Sequence, residues 1–210
     1  MWRKIAYVCA VLLCAVSAGI TIIHLSVESR TISFLEAHEV REGRPYELLE
    51  EVSKRFGLRT PRLYIAKKYF FNAAHITSST SPLHLRRGKI VISQEQIDYF
   101  DEDTLRGIIA HEIVHLLDDP LINPWYTSEK SLPDEIETDH RAAAYVGYAT
   151  LYATLRSFER MTELSWWHEH KHHFPNDPSG TWMGEKAFRE FRNEVRERLK
   201  ALDTASNRQS

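Results

Sequence analysis

Leu105-Arg106-Gly107-Ile108-Ile109-Ala110-His111-Glu112-Ile113-Val114-His115-Leu116-Leu117 is the stretch on which the reading of this chain turns. Leu105, Ile108, Ile109, Ile113, Leu116 and Leu117 recur at helical spacing as an apolar stripe, and Asp118-Asp119-Pro120 ends it. A core-facing helix from Asp101 onward is predicted, yet it carries His111, Glu112 and His115. Histidines four apart stand one turn above the other on one helix face. Both imidazoles can therefore reach one ion at about 2.0–2.1 Å. Glu112 cannot share their position, but it can reach a water held on the metal. With three protein ligands and one water, zinc lowers that water's pKa to about 7 and polarises a carbonyl. Glu112 is then the candidate catalytic base, taking the water's proton and handing it to the leaving amine. The plainer reading is a buried helix whose histidines are merely hydrogen-bonded. It is the weaker one, because two histidines and a glutamate facing a core are costly to bury without a partner such as a metal.

A third ligand has to come from elsewhere. The metzincin extension requires Gly at 118 and His or Asp at 121; Asp118 and Leu121 stand there, which rejects that class. Glu135 comes 20 positions after His115, in the first turn of the next predicted helix, with Asp139 one turn further on the same face. A carboxylate ligand with an aspartate four later suits a metal ligand plus an acceptor for a ligand imidazole N–H. Glu135 is the preferred third ligand, with Asp134 and Glu137 as rivals. One Zn2+ per chain, on His111, His115 and Glu135, is the expected cofactor.

Working outward, residues 46–56 carry Leu48, Leu49, Val52 and Phe56 at helical spacing and stop at Gly57. Arg62-Leu63-Tyr64-Ile65-Ala66 reads as a strand, and residues 69–76 and 89–92 are two more, separated by the turn-rich 77–82. A helix begins near Ser131 with Pro133 in its first turn and is expected to run through Arg156, as far as Trp167 at most. A last helix over 184–202 presents Phe188, Phe191, Val195, Leu199 and Leu202, and residues 203–210 are expected to form a loose tail. The fold expected is α+β: a domain over 28–202 with a small sheet of about three strands and helices around it.

Residues 5–27 form an apolar run of 23 positions after Met1-Trp2-Arg3-Lys4, and about 20 helical residues cross a bilayer core. Cleavage near Val16-Ser17-Ala18 is the competing reading, but Ile20-Thr21-Ile22-Ile23-His24-Leu25 carries the run beyond it. Residues 1–27 are expected to be one uncut transmembrane helix, with Arg3 and Lys4 inside and the domain extracytoplasmic. The later apolar stretch 142–155 is only 14 residues long, which suits a buried helix rather than a second span. Both cysteines, Cys9 and Cys14, fall in the first run, so the domain can form no disulfide framework and no thiolate site. The net charge of −2 excludes a global field for nucleic acid. Arg86, Arg87 and Lys89 lack interleaved aromatics and read as a solvated loop.

Residues 46–144 resemble the membrane-associated gluzincin peptidases that include HtpX-like proteases and CaaX prenyl proteases. The resemblance rests on Asn72-Ala73-Ala74, on Asp101-Glu102-Asp103-Thr104-Leu105 leading into His111-Glu112-Ile113-Val114-His115, and on Glu135-Ile136-Glu137-Thr138-Asp139. It implies a zincin-like fold, Glu135 on zinc, and a substrate extended along a sheet edge above the metal. The chain departs from the family in offering one span, in its short link from His115 to Glu135, and in echoing a Ser/Thr-His-Pro motif only loosely at His173-Phe174-Pro175.

Trp166-Trp167-His168-Glu169-His170-Lys171-His172-His173 reads as a helix end and loop near the cleft mouth before it reads as a second metal site. One of its histidines, Tyr126 or Tyr145 could steady an oxyanion. His75 and His84 read as surface or satisfied residues. The function implied is a membrane-anchored zinc metalloendopeptidase acting on protein or peptide. The alternatives are a non-catalytic, zinc-stabilised peptide-binding module, against which Glu112 counts, and hydrolysis of a non-protein amide such as cell-wall material.

Overall fold

A computed structural model describes residues 29–30, 32–67, 74–76, 88–118, 131–161 and 185–209. The expected anchor, Asn72-Ala73, Tyr126 and the 166–173 cluster lie outside the described residues. The elements run β1 (His38–Val40), α1 (Arg44–Arg55), β2 (Arg62–Ala66), β3 (Ala74–Ile76), β4 (Lys89–Ser93), α2 (Gln94–Tyr99), α3 (Glu102–Asp118), α4 (Leu132–Val146), α5 (Tyr148–Met161) and α6 (Glu185–Gln209). The α+β expectation holds. Among the described residues no helix is long and apolar enough to cross a membrane.

β2 and β4 pair in parallel, Arg62 opposite Lys89 through Ala66 opposite Ser93. Both strands are apolar almost throughout because both faces are covered. Leu63, Ile90 and Ile92 join the helical core, while Tyr64, Ala66 and Val91 pack against Ile32, Leu35 and Ala37. β1 adds antiparallel to β2 and β3 antiparallel to β4, so the order is β1-β2-β4-β3. Among the described residues the sheet thus has four strands rather than about three. β1 is the addition, and its three residues are too few for an alternating pattern to show.

α3 is central. Its buried residues run from Thr104 to His115 around most of its circumference, the pattern of a helix enclosed by protein. α1, α4 and α5 pack on it, and Leu105, Ile108, Ile109 and Ile113 share one core with Leu49, Ala142, Leu151 and Leu155. Asp101 starts α3 by accepting the Thr104 amide N–H at 2.8 Å.

Gly107 lets α5 come close. A Cβ there would stand 2.0 Å from Thr154 Oγ1 and 3.0 Å from Thr154 Cβ, so turning the hydroxyl away still leaves the Cβ contact tight. Gly107→Ala is therefore expected to destabilise the fold by about 1–3 kcal/mol through overpacking. A lower midpoint in urea unfolding reads this out, and Thr154→Ala in the same chain should recover part of the loss.

Two boundaries correct the sequence reading. The helix that starts after Ser131 does not continue through Arg156: it stops at Gly147, which sits at φ 97° and ψ 143°, and α5 begins afresh at Tyr148. Such a backbone is open to glycine and strained for other residues. The tail expected to be loose from Asp203 instead prolongs α6 to Gln209, anchored by buried Val195, Leu199 and Leu202.

Candidate metal centre

The two helices that meet over the core bring the chemistry together. α3 supplies His111, Glu112 and His115. α4 is set by a capping box in which Ser131 accepts the Asp134 amide and the Asp134 carboxylate accepts the Ser131 amide. That start places Glu135 in the first turn and Asp139 one turn later.

The Nε2 atoms of His111 and His115 are 3.0 Å apart, with the rings edge-on at an interplanar angle of 88°. Glu135 bridges them, Oε2 lying 3.0 Å from His111 Nε2 and Oε1 3.4 Å from His115 Nε2. Donors held at 2.0–2.1 Å around a tetrahedral ion are separated by about 3.3 Å. The observed separations of 3.0, 3.0 and 3.4 Å, the last two reaching different oxygens of Glu135, are close to that spacing, so this donor set fits a small divalent cation. Among the described residues these three form the group able to hold a metal.

Beyond the triangle, Asp139 Oδ1 accepts from His111 Nδ1 at 2.9 Å. That contact fixes the ring and leaves Nε2 to offer its lone pair inward. Burial opposes a charge on His111, but hydrogen bonds to Asp139 and Glu135 outweigh it and raise its pKa to about 9. Burial likewise opposes charge on Glu135, and its hydrogen bonds to the two histidines outweigh that, holding the carboxyl well below the usual range. Asp139 is also lowered, the Arg198 guanidinium overcoming its burial. Two carboxylates, Glu135 and Asp139, thus face the two ring nitrogens of His111.

Glu112 is buried on α3 between the two histidines, and it is not one of the three groups whose ligand atoms converge. The rivals for third ligand are accounted for otherwise, Asp134 in the cap of α4 and Glu137 exposed. Tyr145 is half exposed and stacks on Phe56, with centroids 3.8 Å apart.

Arg198 escaped the sequence reading. It lies on α6 with its side chain 8% exposed, donating from Nε to Asp139 Oδ2 at 2.7 Å and from Nη2 to Oδ1 at 2.8 Å. Its signal was present: Val195, Arg198, Leu199 and Leu202 share one helix face, and a charge inside an apolar stripe needs a buried partner.

Comparison with known proteins gives two relatives. Over 76 residues the chain is 41% identical to a protein named Protease HtpX homolog from Thermoplasma volcanium, covering 36% of this chain and 23% of the relative. Over 71 residues it is 30% identical to a protein of the same name from Sulfurihydrogenibium sp., covering 34% and 22%. The matched part of the chain is HtpX-like, as its motifs suggested, and it spans less than a quarter of either relative's length. No family model matches the chain, and no solved structure matches it.

Proposed function

We propose that this chain is a zinc metalloendopeptidase of the gluzincin type, held at a membrane by residues 1–27 with its domain on the extracytoplasmic side. The observation that carries the reading is the convergence of His111, His115 and Glu135 on one point, with Asp139 on the outer nitrogen of His111. Those three residues would hold one Zn2+, which when bound supplies a Lewis acid and lowers the pKa of a water. Glu112, a carboxylate outside the ligand set, takes a proton from the attacking water and delivers it to the leaving amide nitrogen. Asp139 keeps His111 in the tautomer that donates outward.

The substrate class is protein or peptide, in keeping with the name of the two relatives. β3 is an edge strand among the described residues, and an extended peptide can add to such an edge by main-chain hydrogen bonds. The membrane placement rests on the apolar run 5–27 and on Arg3 and Lys4 before it. The net charge of −2 speaks against nucleic acid as a partner.

The test is hydrolysis of an unfolded protein such as casein by the full chain in detergent. Activity should fall to background with a zinc chelator and return on adding zinc. Cleavage that persists after metal removal would contradict the proposal, and zinc uptake without cleavage of any peptide library would favour the non-catalytic binding module.

A further inference from the structure

Arg198 reaches the metal centre from a helix 59 residues beyond Asp139, and its contacts go to the carboxylates around the two histidines and to His111 itself, Nη2 lying 3.3 Å from Nδ1. Nε and Nη2 fork onto both oxygens of Asp139. Nη1 lies 3.5 Å from Glu135 Oε2, the same oxygen that sits 3.0 Å from His111 Nε2. Nη1 also donates to Glu194, one turn earlier on α6, at 3.4 Å. Asp139 Oδ1 stands between two donors, 2.8 Å from Arg198 Nη2 and 2.9 Å from His111 Nδ1. One guanidinium therefore sets the position of the carboxylate that orients His111 and touches the carboxylate that bridges both histidines.

Its surroundings argue against simple glue between helices. The Asp139 side chain is 1% exposed and that of Arg198 is 8%. A buried ion pair is a poor way to gain stability, since apolar residues of similar volume commonly serve as well or better. Here the apolar alternative was at hand, because Val195, Leu199 and Leu202 already line that face. What an apolar residue cannot do is keep Asp139 ionised and aimed at an imidazole N–H. Lysine cannot do it in the same way either: a point charge does not reproduce a planar fork that grips two oxygens and still reaches a third.

We infer that Arg198 is a positioning residue of the metal centre, acting through Asp139, so that docking of the C-terminal helix and metal affinity are coupled. The inference rests on the zinc reading above. It places part of the metal-holding machinery outside the two ligand-bearing helices.

The experiment is a zinc titration against a competing chromophoric chelator. It uses the full chain in detergent, as parent, Arg198→Lys, Arg198→Met, Asp139→Asn and the Arg198→Lys/Asp139→Asn double variant, each checked by circular dichroism and thermal unfolding. The single variants should bind zinc about 10–100-fold more weakly, the range known for partners that orient metal ligands. The double variant should be little worse than Asp139→Asn alone, because both changes break one linkage. Arg198→Lys retains the charge and tests the fork even where Arg198→Met does not fold. A folded Arg198→Lys chain with a lower melting temperature but parental zinc affinity would make Arg198 a structural tie and overturn the assignment. Losses that multiply in the double variant would do the same. Zinc bound equally by all refutes the assignment alone, whereas a parent chain that takes up no zinc refutes the zinc reading itself.

Discussion

Glu112→Gln is expected to leave zinc in place and to lower kcat/KM on a fluorogenic peptide by about 10²–10⁴-fold, the usual contribution of a positioned general base. The side chain is buried and outside the group of converging ligand atoms, so an amide of the same shape replaces no ligand. What it removes is the proton acceptor, and with it the carriage of that proton to the leaving nitrogen. Zinc content and secondary structure should match the parent. A variant that keeps parental activity would mean that another group takes the proton, and one that loses zinc would place Glu112 among the ligands.

Glu135→Ala is expected to weaken zinc binding by about 10²-fold or more. Zinc sites of four ligands reach roughly 10–16 kcal/mol of binding free energy, or roughly 3 kcal/mol per ligand. Glu135 also touches both imidazoles, at 3.0 and 3.4 Å, so its loss removes the group that joins them. Glu135→Gln keeps an oxygen donor without the charge and should fall between parent and alanine. Glu137→Ala should bind zinc like the parent, because Glu137 is exposed. Asp134→Ala should lose only its cap, worth about 1 kcal/mol, and keep the metal. Zinc affinities measured by chelator competition order the series, and a Glu135→Ala chain with parental affinity would move the third ligand elsewhere.

Much of this centre was legible because its parts are local. A four-residue spacing on one helix fixes His111 over His115, and the same spacing on the next puts Glu135 over Asp139. Two such pairs need only the packing of α3 on α4 to meet. The core of α1, β2, β4 and α3 was legible for the same reason, the helices through apolar residues at helical spacing and the strands through short apolar runs. α2 had a signal that went unread, since Ser93-Gln94-Glu95-Gln96 is a capping box with both reciprocal bonds formed. The break at Gly147 was hidden by apolar residues on both sides, which prolong the helical pattern across a glycine that in fact leaves the helix. Arg198 was hidden by distance. A remote charge acquires its role only when tertiary packing sets α6 against α4, and nothing in its neighbours along the chain names Asp139 as its partner.

The most direct test of the central claim is X-ray absorption at the zinc edge, with zinc content by mass spectrometry, on the full chain purified without chelators. The account predicts about one zinc per chain, with two imidazoles and otherwise oxygen donors at about 2.0–2.2 Å. Absence of zinc, or zinc bound by three or more imidazoles as His168, His170, His172 and His173 could supply, would contradict it.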